Sequence, residues 1–349
     1  MSTLIRGCTI ITMDESRGSA PFTGDILIKG DRIAGIGELE NVDAETVIDG
    51  KNRLAIPGLV NAHLHSGEAL FKGRYDNLPL ELWMLYAYPP LGAQQLTDRM
   101  IYLRTMLVAI ESLKTGVTSV VDDVFEFPSQ RIGSTCAVFD AYADSGLRAT
   151  VSSNIMDKKV LDTIPFTREV VPQRLQDEVD APETPTIDGY LAFCKEIFER
   201  QHGREGRLRY MIAPSAPQRC TADMLLACDE IARARDVPFH THIVETKVQG
   251  VTGPEFYGKT LIQYLHDLGI LGPNVAIAHS IWVTDQDIEL MGDAGVSIIH
   301  NAISNQKLGA GIAPFRKLLN GGVNVALGSD GICSNDTPRM FDVMHAAGL

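Results

Sequence analysis

The sequence has few cysteines, no excess of basic residues and no long apolar run, and each absence excludes a class of protein. Its six cysteines in 349 residues form no C-x-x-C pair, which argues against a disulfide scaffold or a cysteine zinc site. The formal net charge of -13 lacks the basic footprint of a nucleic-acid-binding protein. No run approaches the roughly 18 apolar residues of a membrane span. Because acidic residues also come early in the opening stretch MSTLIRGCTIITMDESRG, we expect a cytoplasmic protein that binds neither nucleic acid nor membranes.

The first 56 residues are patterned differently from the rest of the chain. Short strand-like runs such as GDILIKGDRIAGIG are punctuated by Gly and Asp, as hairpins require, which predicts part of a composite β-sandwich over residues 1–56. Strand-like and helix-like runs then alternate, which predicts an α/β domain over residues 57–349. Hydrophobic residues make up 45% of the chain, enough to fill a barrel of roughly 250 residues beside a smaller domain.

The alternating part contains eight short strand-like runs, and this number predicts a (β/α)8 TIM barrel. The runs cover residues 59–65, 117–123, 148–154, 208–214, 238–245, 274–280, 296–301 and 323–330. One stretch, residues 156–189, breaks the rhythm because it is long, charged and rich in proline. It is either a lid or binding loop or an idle surface insertion.

Reactive side chains occur at several of the predicted strand ends, where the active site of such a barrel lies. They are His63, His65, His242, Glu245, His279 and Asp330. Each alone has an ordinary explanation, as a hydrogen-bonded core histidine or a helix cap. Residues i and i+2 of a strand share a face, so both histidines of the first strand can reach one ion. Convergence from four strand ends therefore predicts a metal site.

Imidazoles with one carboxylate suit Zn²⁺, and Fe²⁺ in a similar geometry is the alternative. The fourth strand end, MIAPSAPQRC, has no lysine that could bridge two ions, so we expect a single divalent ion. His240 shares a strand face with His242 and is expected in a deeper layer of the barrel.

Four short motifs resemble the amidohydrolase superfamily: His63-Leu-His65, His242-Ile-Val-Glu245, His279-Ser280 and Ser329-Asp330-Gly331. Residues 304–331 resemble its cytosine-deaminase-like branch, which includes chlorotriazine hydrolases and guanine deaminases. The resemblance implies a homo-oligomer and a role for each site residue. Those roles are metal ligation by His63, His65, His242 and Asp330, contact with the reactive water by His279, and proton transfer by Glu245.

The chemistry of these groups supports the same roles. Water made nucleophilic by the metal can attack an sp² carbon that bears a leaving group. Asp330 and His279 can hold and deprotonate that water, and Glu245 can protonate a ring nitrogen and then the departing ammonia. We therefore expect hydrolytic deamination of a small nitrogen heterocycle. Dechlorination, alkylamine displacement and cyclic-amide hydrolysis are the alternatives, because the same attack would serve them.

The substrate pocket is expected to be built from aromatic and amide side chains, which stack on and hydrogen-bond to a flat heterocycle. The principal candidates are Trp83, Gln218, Trp282 and Asn305, with Tyr86, Tyr88, Phe125 and Asn154 as further ones. The similar adenosylhomocysteine and methylthioadenosine deaminases carry a glutamate near the position of Gly92 and a histidine at that of Ser215. Their absence favours a triazine, pterin, purine or pyrimidine base over a nucleoside.

The chain stops at MFDVMHAAGL, where the eighth barrel helix is expected to begin. Members of the superfamily normally continue with further helices and with strands that complete the N-terminal module. We therefore expect a C-terminally truncated chain that lacks its last helix and these strands.

Overall fold

The structure is a computed structural model that describes residues 1–348. The chain divides into two compact units, with the boundary between Leu59 and Val60. In the described residues, no helix is long and apolar enough to cross a membrane.

The N-terminal unit is built on one sheet. Its strands are β1 (Ser2–Ile10), β2 (Phe22–Lys29), β3 (Arg32–Gly37), β4 (Thr46–Asp49) and β5 (Leu54–Ala55). The order is β3-β2-β1-β4, and β5 also pairs with β1. Gly30 turns the β2–β3 hairpin with a positive φ of 61°, a conformation that favours glycine. The second layer of a sandwich does not occur within residues 1–59, so the composite sandwich stays a prediction.

The second unit contains parallel strands whose carboxyl ends carry the candidate site. They are β6 (Leu59–His65), β7 (Val117–Asp122), β8 (Arg148–Ser152), β9 (Leu208–Met211), β10 (Phe239–Ile243), β11 (Val275–His279), β12 (Ser297–His300), β13 (Asn324–Leu327) and β14 (Asp330–Gly331). They form two sheets, of order β14-β6-β7-β8-β9 and β10-β11-β12-β13. A single parallel bridge joins Ile212, just after β9, to Phe239 of β10. Each of the eight strand-like runs of the sequence thus contains a strand.

Helices separate these strands along the chain. They are α1 (Leu80–Ala87), α2 (Asp98–Lys114), α3 (Ile132–Ser145), α4 (Thr167–Val170), α5 (Gln173–Asp180), α6 (Ile187–Gln201), α7 (Ala222–Arg235), α8 (Lys247–Tyr257), α9 (Leu261–Asp267), α10 (Asp285–Ala294), α11 (Ala302–Lys307), α12 (Phe315–Asn320), α13 (Ile332–Asn335) and α14 (Met340–Ala347). Threonine is a repeated start signal, since its hydroxyl accepts a hydrogen bond from an otherwise unpaired backbone N–H of the first turn. It caps α2, α6, α7, α8, α9 and α10.

The stretch 156–189 is more ordered than the loop that the sequence suggested. It contains α4, α5, the start of α6 and a short 3₁₀ turn at Val160–Asp162. Arg168 holds it together, because its guanidinium pairs with Asp162 and lies 2.7 Å from Asp180 Oδ2. The sequence alone did not predict these helices because α4 has only four residues, and prolines interrupt the stretch.

Candidate active site

Two strand ends bring the first three site residues together. His63 and His65 lie at the end of β6, and each Nε2 is 3.3 Å from Asp330 Oδ1. Asp330 is on β14, which pairs with the end of β6. Asn61 fixes this junction, because its side-chain oxygen accepts from the Ser329 N–H at 2.9 Å and its amide group donates to Ser329 Oγ at 2.7 Å. The order of the strands thus joins residues more than 260 positions apart.

The orientation of two imidazoles is set by main-chain carbonyls. His65 Nδ1 donates to Asp123 O at 2.6 Å, and His242 Nδ1 donates to Ser215 O at 2.9 Å. A carbonyl only accepts, so Nδ1 carries a proton in both rings, and in the neutral form of each ring the lone pair is on Nε2. The two Nε2 atoms then lie 3.3 Å apart. This is how histidine ligands are usually held toward a metal.

His63 is oriented by another histidine. Its Nδ1 lies 2.9 Å from His240 Nε2, so one of these two nitrogens donates to the other. Burial lowers the pKa of His63 to about 4, and burial also lowers the pKa of His240 and His242 well below the usual range. Neutral imidazole is the form that ligates metal. His240 thus lies behind His63, in the deeper position that its place in the strand predicted.

The donor set fits a divalent metal ion. His63 Nε2 is buried and lies 3.3 Å from Asp330 Oδ1, but it forms no hydrogen bond within the described residues. Ligand atoms of His63, His65 and Asp330 lie within 4.8 Å of one another, as do those of His63, His242 and His279. Lone pairs that point toward one another with no proton between them raise the free energy of the folded protein, unless a cation binds them.

The second group of site residues is Glu245, His279 and Asp330. His279 Nε2 lies 3.6 Å from Glu245 Oε1 and 3.9 Å from Asp330 Oδ2, and all three side chains are buried. Burial raises the pKa of Glu245, which is the direction that suits a carboxyl that both gives and takes a proton. The pKa of Asp330 is shifted in the other direction. Burial favours its neutral form, but the nearby histidines outweigh burial and hold the pKa well below the usual range.

The backbone at these strand ends is strained. Val244, His279, Ser280 and Asp330 have φ values of 46°, 77°, 51° and 65°, in the left-handed region. Non-glycine residues there cost about 1–3 kcal/mol each and are concentrated at functional sites. These strained positions are at or next to Glu245, His279 and Asp330.

A cavity of 80 Å³ opens beside these residues. It is lined by His65, His242, Glu245, His279 and Asp330, together with Trp83, Tyr88, Phe125, Asn154 and Arg219 among others. Phe125 and Met156 also line two neighbouring cavities of 90 and 790 Å³. Residues of the 156–189 stretch form much of the wall of the largest cavity. The cavity beside the site therefore shares wall residues with a larger cavity that this stretch helps to line.

The proposed substrate residues are placed differently from one another. Trp83 lines the 80 Å³ cavity, and Gln218 lines the 90 Å³ cavity with its side-chain oxygen buried and without a hydrogen-bond partner among residues 1–348. Trp282 is 43% exposed, lines none of the three cavities, and donates from Nε1 to Ala310 O at 2.8 Å. Asn305 also lines none of these cavities. Its Oδ1 instead accepts a hydrogen bond from His279 Nδ1 at 3.0 Å. The structure thus brings Trp83 to the site and gives Asn305 a positioning contact.

Two lining residues were missed by the sequence reasoning. Glu68 follows His65 by three residues, and its buried Oε1 accepts from Tyr88 Oη at 2.9 Å. Burial raises the pKa of Glu68 to about 7. Arg219 follows β9 in the run PSAPQRC and shares the cavity with Glu245. Both lie close to a strand end, which could have indicated a place in the site. Glutamate and arginine side chains are, however, usually exposed in proteins.

Comparison with known proteins gives consistent matches. The model of the amidohydrolase family matches residues 54–348. A 5'-deoxyadenosine deaminase from Methanosarcina barkeri is 34% identical over 99% of this chain and 73% of its own length. A 5-methylthioadenosine/S-adenosylhomocysteine deaminase from Caldanaerobacter subterraneus is 33% identical over 99% of this chain and 73% of its own length.

One similar solved structure contains a metal ion. The atrazine chlorohydrolase from Arthrobacter aurescens, crystallised with zinc, is 26% identical. The match covers 97% of this chain and 74% of that one, with a TM-score of 0.83.

Proposed function

The chain belongs to the amidohydrolase family, and from this premise we propose that it removes an amino group from a nitrogen heterocycle by hydrolysis and releases ammonia. One observation carries the proposal. Four histidines and two carboxylates from four strand ends come together beside a cavity that also has an aromatic wall. A flat ring can stack in such a pocket with its exocyclic amine toward the polar end.

His63, His65, His242 and Asp330 are the residues that would hold the metal. A divalent ion in this position supplies Lewis acidity that makes water nucleophilic near neutral pH. Zinc is the ion we propose, because the donor set is imidazole and carboxylate and a structural neighbour binds zinc. The carbonyl-bound Nδ1 atoms of His65 and His242 keep both Nε2 atoms available for the ion.

Glu245 and His279 would move the protons. His279 Nε2 points toward Glu245 and Asp330, so His279 and Asp330 can together accept a proton from the attacking water. Glu245 has its pKa raised by burial, and it can protonate a ring nitrogen and later the leaving amine. Departure of a neutral amine then balances the reaction.

We also infer that the two parallel sheets are the halves of one eight-stranded barrel, in which β13 and β14 together form one strand position. The bridge between Ile212 and Phe239 supports contact of the sheets on one side. On the other side β13 pairs with β12 while β14, three residues later, pairs with β6. Such a barrel would bring all the strand ends that carry the site to one mouth.

The ring itself is best sought among purines, pterins, triazines and pyrimidines. The relatives named for adenosine derivatives favour an aminopurine ring, whereas Ser215 and the lack of a glutamate beside Gly92 favour a free base over a nucleoside. The 790 Å³ cavity would leave room for a substituent on the ring. Similarity to the atrazine chlorohydrolase favours a second candidate, displacement of chloride or an alkylamine from a triazine.

The test is a product assay with the metal-reconstituted chain. A panel should contain free aminated bases, 5'-deoxyadenosine, 5'-methylthioadenosine and chlorinated triazines, with ammonia and chloride measured in parallel. We expect ammonia from at least one aminated ring, at a rate at least about 100-fold lower for the Glu245→Gln variant at equal metal content. Chloride or an alkylamine without ammonia would support the second candidate, and release of none of the three products by protein with a full complement of metal would contradict both.

A further inference from the structure

Arg219 is a cation in the candidate active site that the proposed chemistry does not use. It lies in the 3₁₀ turn Pro217–Arg219 that follows β9, and it is half-buried. It lines both the 80 Å³ cavity and the adjoining 90 Å³ cavity. Of the described residues that line the 80 Å³ cavity, it is the one lysine or arginine, among three carboxylates.

The guanidinium of Arg219 has weak partners. Nη1 donates to Ser215 Oγ at 3.1 Å, and Nη2 donates to Met84 Sδ, a thioether, at 3.1 Å. Within residues 1–348, no carboxylate oxygen lies within 4.0 Å of it. Glu245 and Glu81 lie near enough to influence its charge, but Glu245 faces His279 Nε2 at 3.6 Å and Glu81 accepts from Thr246 Oγ1 at 2.5 Å. The cation is therefore desolvated without a paired anion.

Burial of the Arg219 guanidinium without a paired anion raises the free energy of the protein when no ligand is bound. Partial burial removes water from the guanidinium, and a hydroxyl and a thioether do not replace it fully. Arginine has five N–H donors in a rigid planar fork that matches a carboxylate with two parallel hydrogen bonds. Two of the five have partners in the described part of the chain, so donors remain for a ligand.

We propose that Arg219 binds a carboxylate on the substrate, so that the substrate is an aminated heterocycle carrying a carboxylate on the ring or on a short arm. The inference rests on the proposed function and narrows its substrate class. A short arm follows from the position of Arg219, which shares its cavity with Glu245 and His279, the residues proposed to act at the amine-bearing carbon. A long arm would place the carboxylate in the 790 Å³ cavity, which Arg219 does not line.

The experiment compares ring pairs that differ by one carboxylate: pterin with pterin-6-carboxylate, and cytosine with 5-carboxycytosine. Deamination rates and direct binding by fluorescence or calorimetry are measured on the metal-loaded full chain. The wild type should prefer a carboxylated member by about 10- to 100-fold in kcat/KM, mainly through KM, which is typical of a charge-assisted bidentate contact. Arg219→Gln should abolish this preference, so that the two members of a ring pair are turned over with similar kcat/KM. Arg219→Lys should restore part of it, because lysine keeps the charge but not the fork.

The control is Arg209→Gln, the same substitution at an exposed arginine on β9, and it should leave the preference unchanged. Equal loss on both members of a pair, or no wild-type preference in either pair, would overturn the inference. The two proposals fail separately. If no ring releases ammonia, the deaminase proposal fails, while preferential binding of a carboxylated ring that depends on Arg219 would still support the carboxylate site.

Discussion

Asn305 offers a test of how the candidate site positions its central histidine. Asn305 is on α11, and its side-chain oxygen accepts from His279 Nδ1 at 3.0 Å with both residues buried. This contact fixes the His279 ring with its Nε2 toward Glu245 and Asp330. In Asn305→Ala, the Nδ1–H loses its partner, and the ring can rotate or change tautomer.

The expected size of the effect follows from that contact. Leaving a buried donor unpaired costs about 1–3 kcal/mol, and if the proper ring orientation carries that free energy, turnover falls by about 5- to 150-fold. The loss should be in kcat rather than KM, because His279 is proposed to act on the attacking water and not to bind the ring. Metal content should stay at the wild-type level, since Asn305 contacts none of the proposed ligands His63, His65, His242 and Asp330 in the described residues.

The assay measures kcat, KM and bound metal for Asn305→Ala, for Asn305→Asp, which keeps an acceptor, and for the exposed control Asn320→Ala. Asn305→Asp should recover part of the lost kcat. A kcat for Asn305→Ala within about twofold of the wild type would refute the reasoning, because it lies below the smallest effect expected for an unpaired buried donor. Equal losses in the alanine and aspartate variants would indicate a packing role instead.

Four further outcomes are expected. Glu245→Gln should keep its metal and lose at least about 100-fold in kcat, the usual effect of removing a general acid–base group; a smaller loss by steady-state assay would remove its proton-transfer role. Asp330→Asn should lower both bound metal and kcat, measured by elemental analysis and turnover, and an unchanged metal content would contradict its role as a ligand. In chelated protein, Glu68→Gln should become more stable relative to the wild type as pH rises from about 4.5 to 7, by up to about 3 kcal/mol in urea unfolding. The sign follows because the folded-state pKa of about 7 lies above the ordinary value of 4.5, so ionisation of Glu68 destabilises the fold; a difference independent of pH would refute this. Thr260→Ala should cost about 1 kcal/mol of unfolding free energy, because it removes the capping box with Gln263, and an unchanged melting temperature would argue against that cap.

Local patterns predicted much of the framework. Each of the eight strand-like runs contains a strand, since alternating β-branched and apolar residues between turn signals are a local property. The helices inside residues 156–189 were not predicted, because short proline-flanked helices depend on contacts such as those of Arg168 with Asp162 and Asp180. The amidohydrolase resemblance is confirmed by the family match over residues 54–348.

The candidate site, like the fold, was predicted only in part from the sequence. His63, His65, His242, Glu245, His279 and Asp330 were found from the sequence because strand ends can be located by pattern, and the structure brings all six together. Their roles stay a prediction. Trp282 was named as a pocket residue because aromatic side chains suit heterocycles, but its ring packs beside the loop carbonyl of Ala310, a contact that only the folded chain determines.

The sequence by itself determined which chemical groups are available and on which strand ends they lie, because residue type and hydrophobic period are local. The tertiary structure decided how those groups are held and what else shares their cavity. The main-chain carbonyls of Asp123 and Ser215 orient His65 and His242, His279 and Asp330 have left-handed backbone conformations, and Arg219 lines the same cavity. These contacts join distant parts of the chain, and their geometry depends on packing that no local pattern encodes.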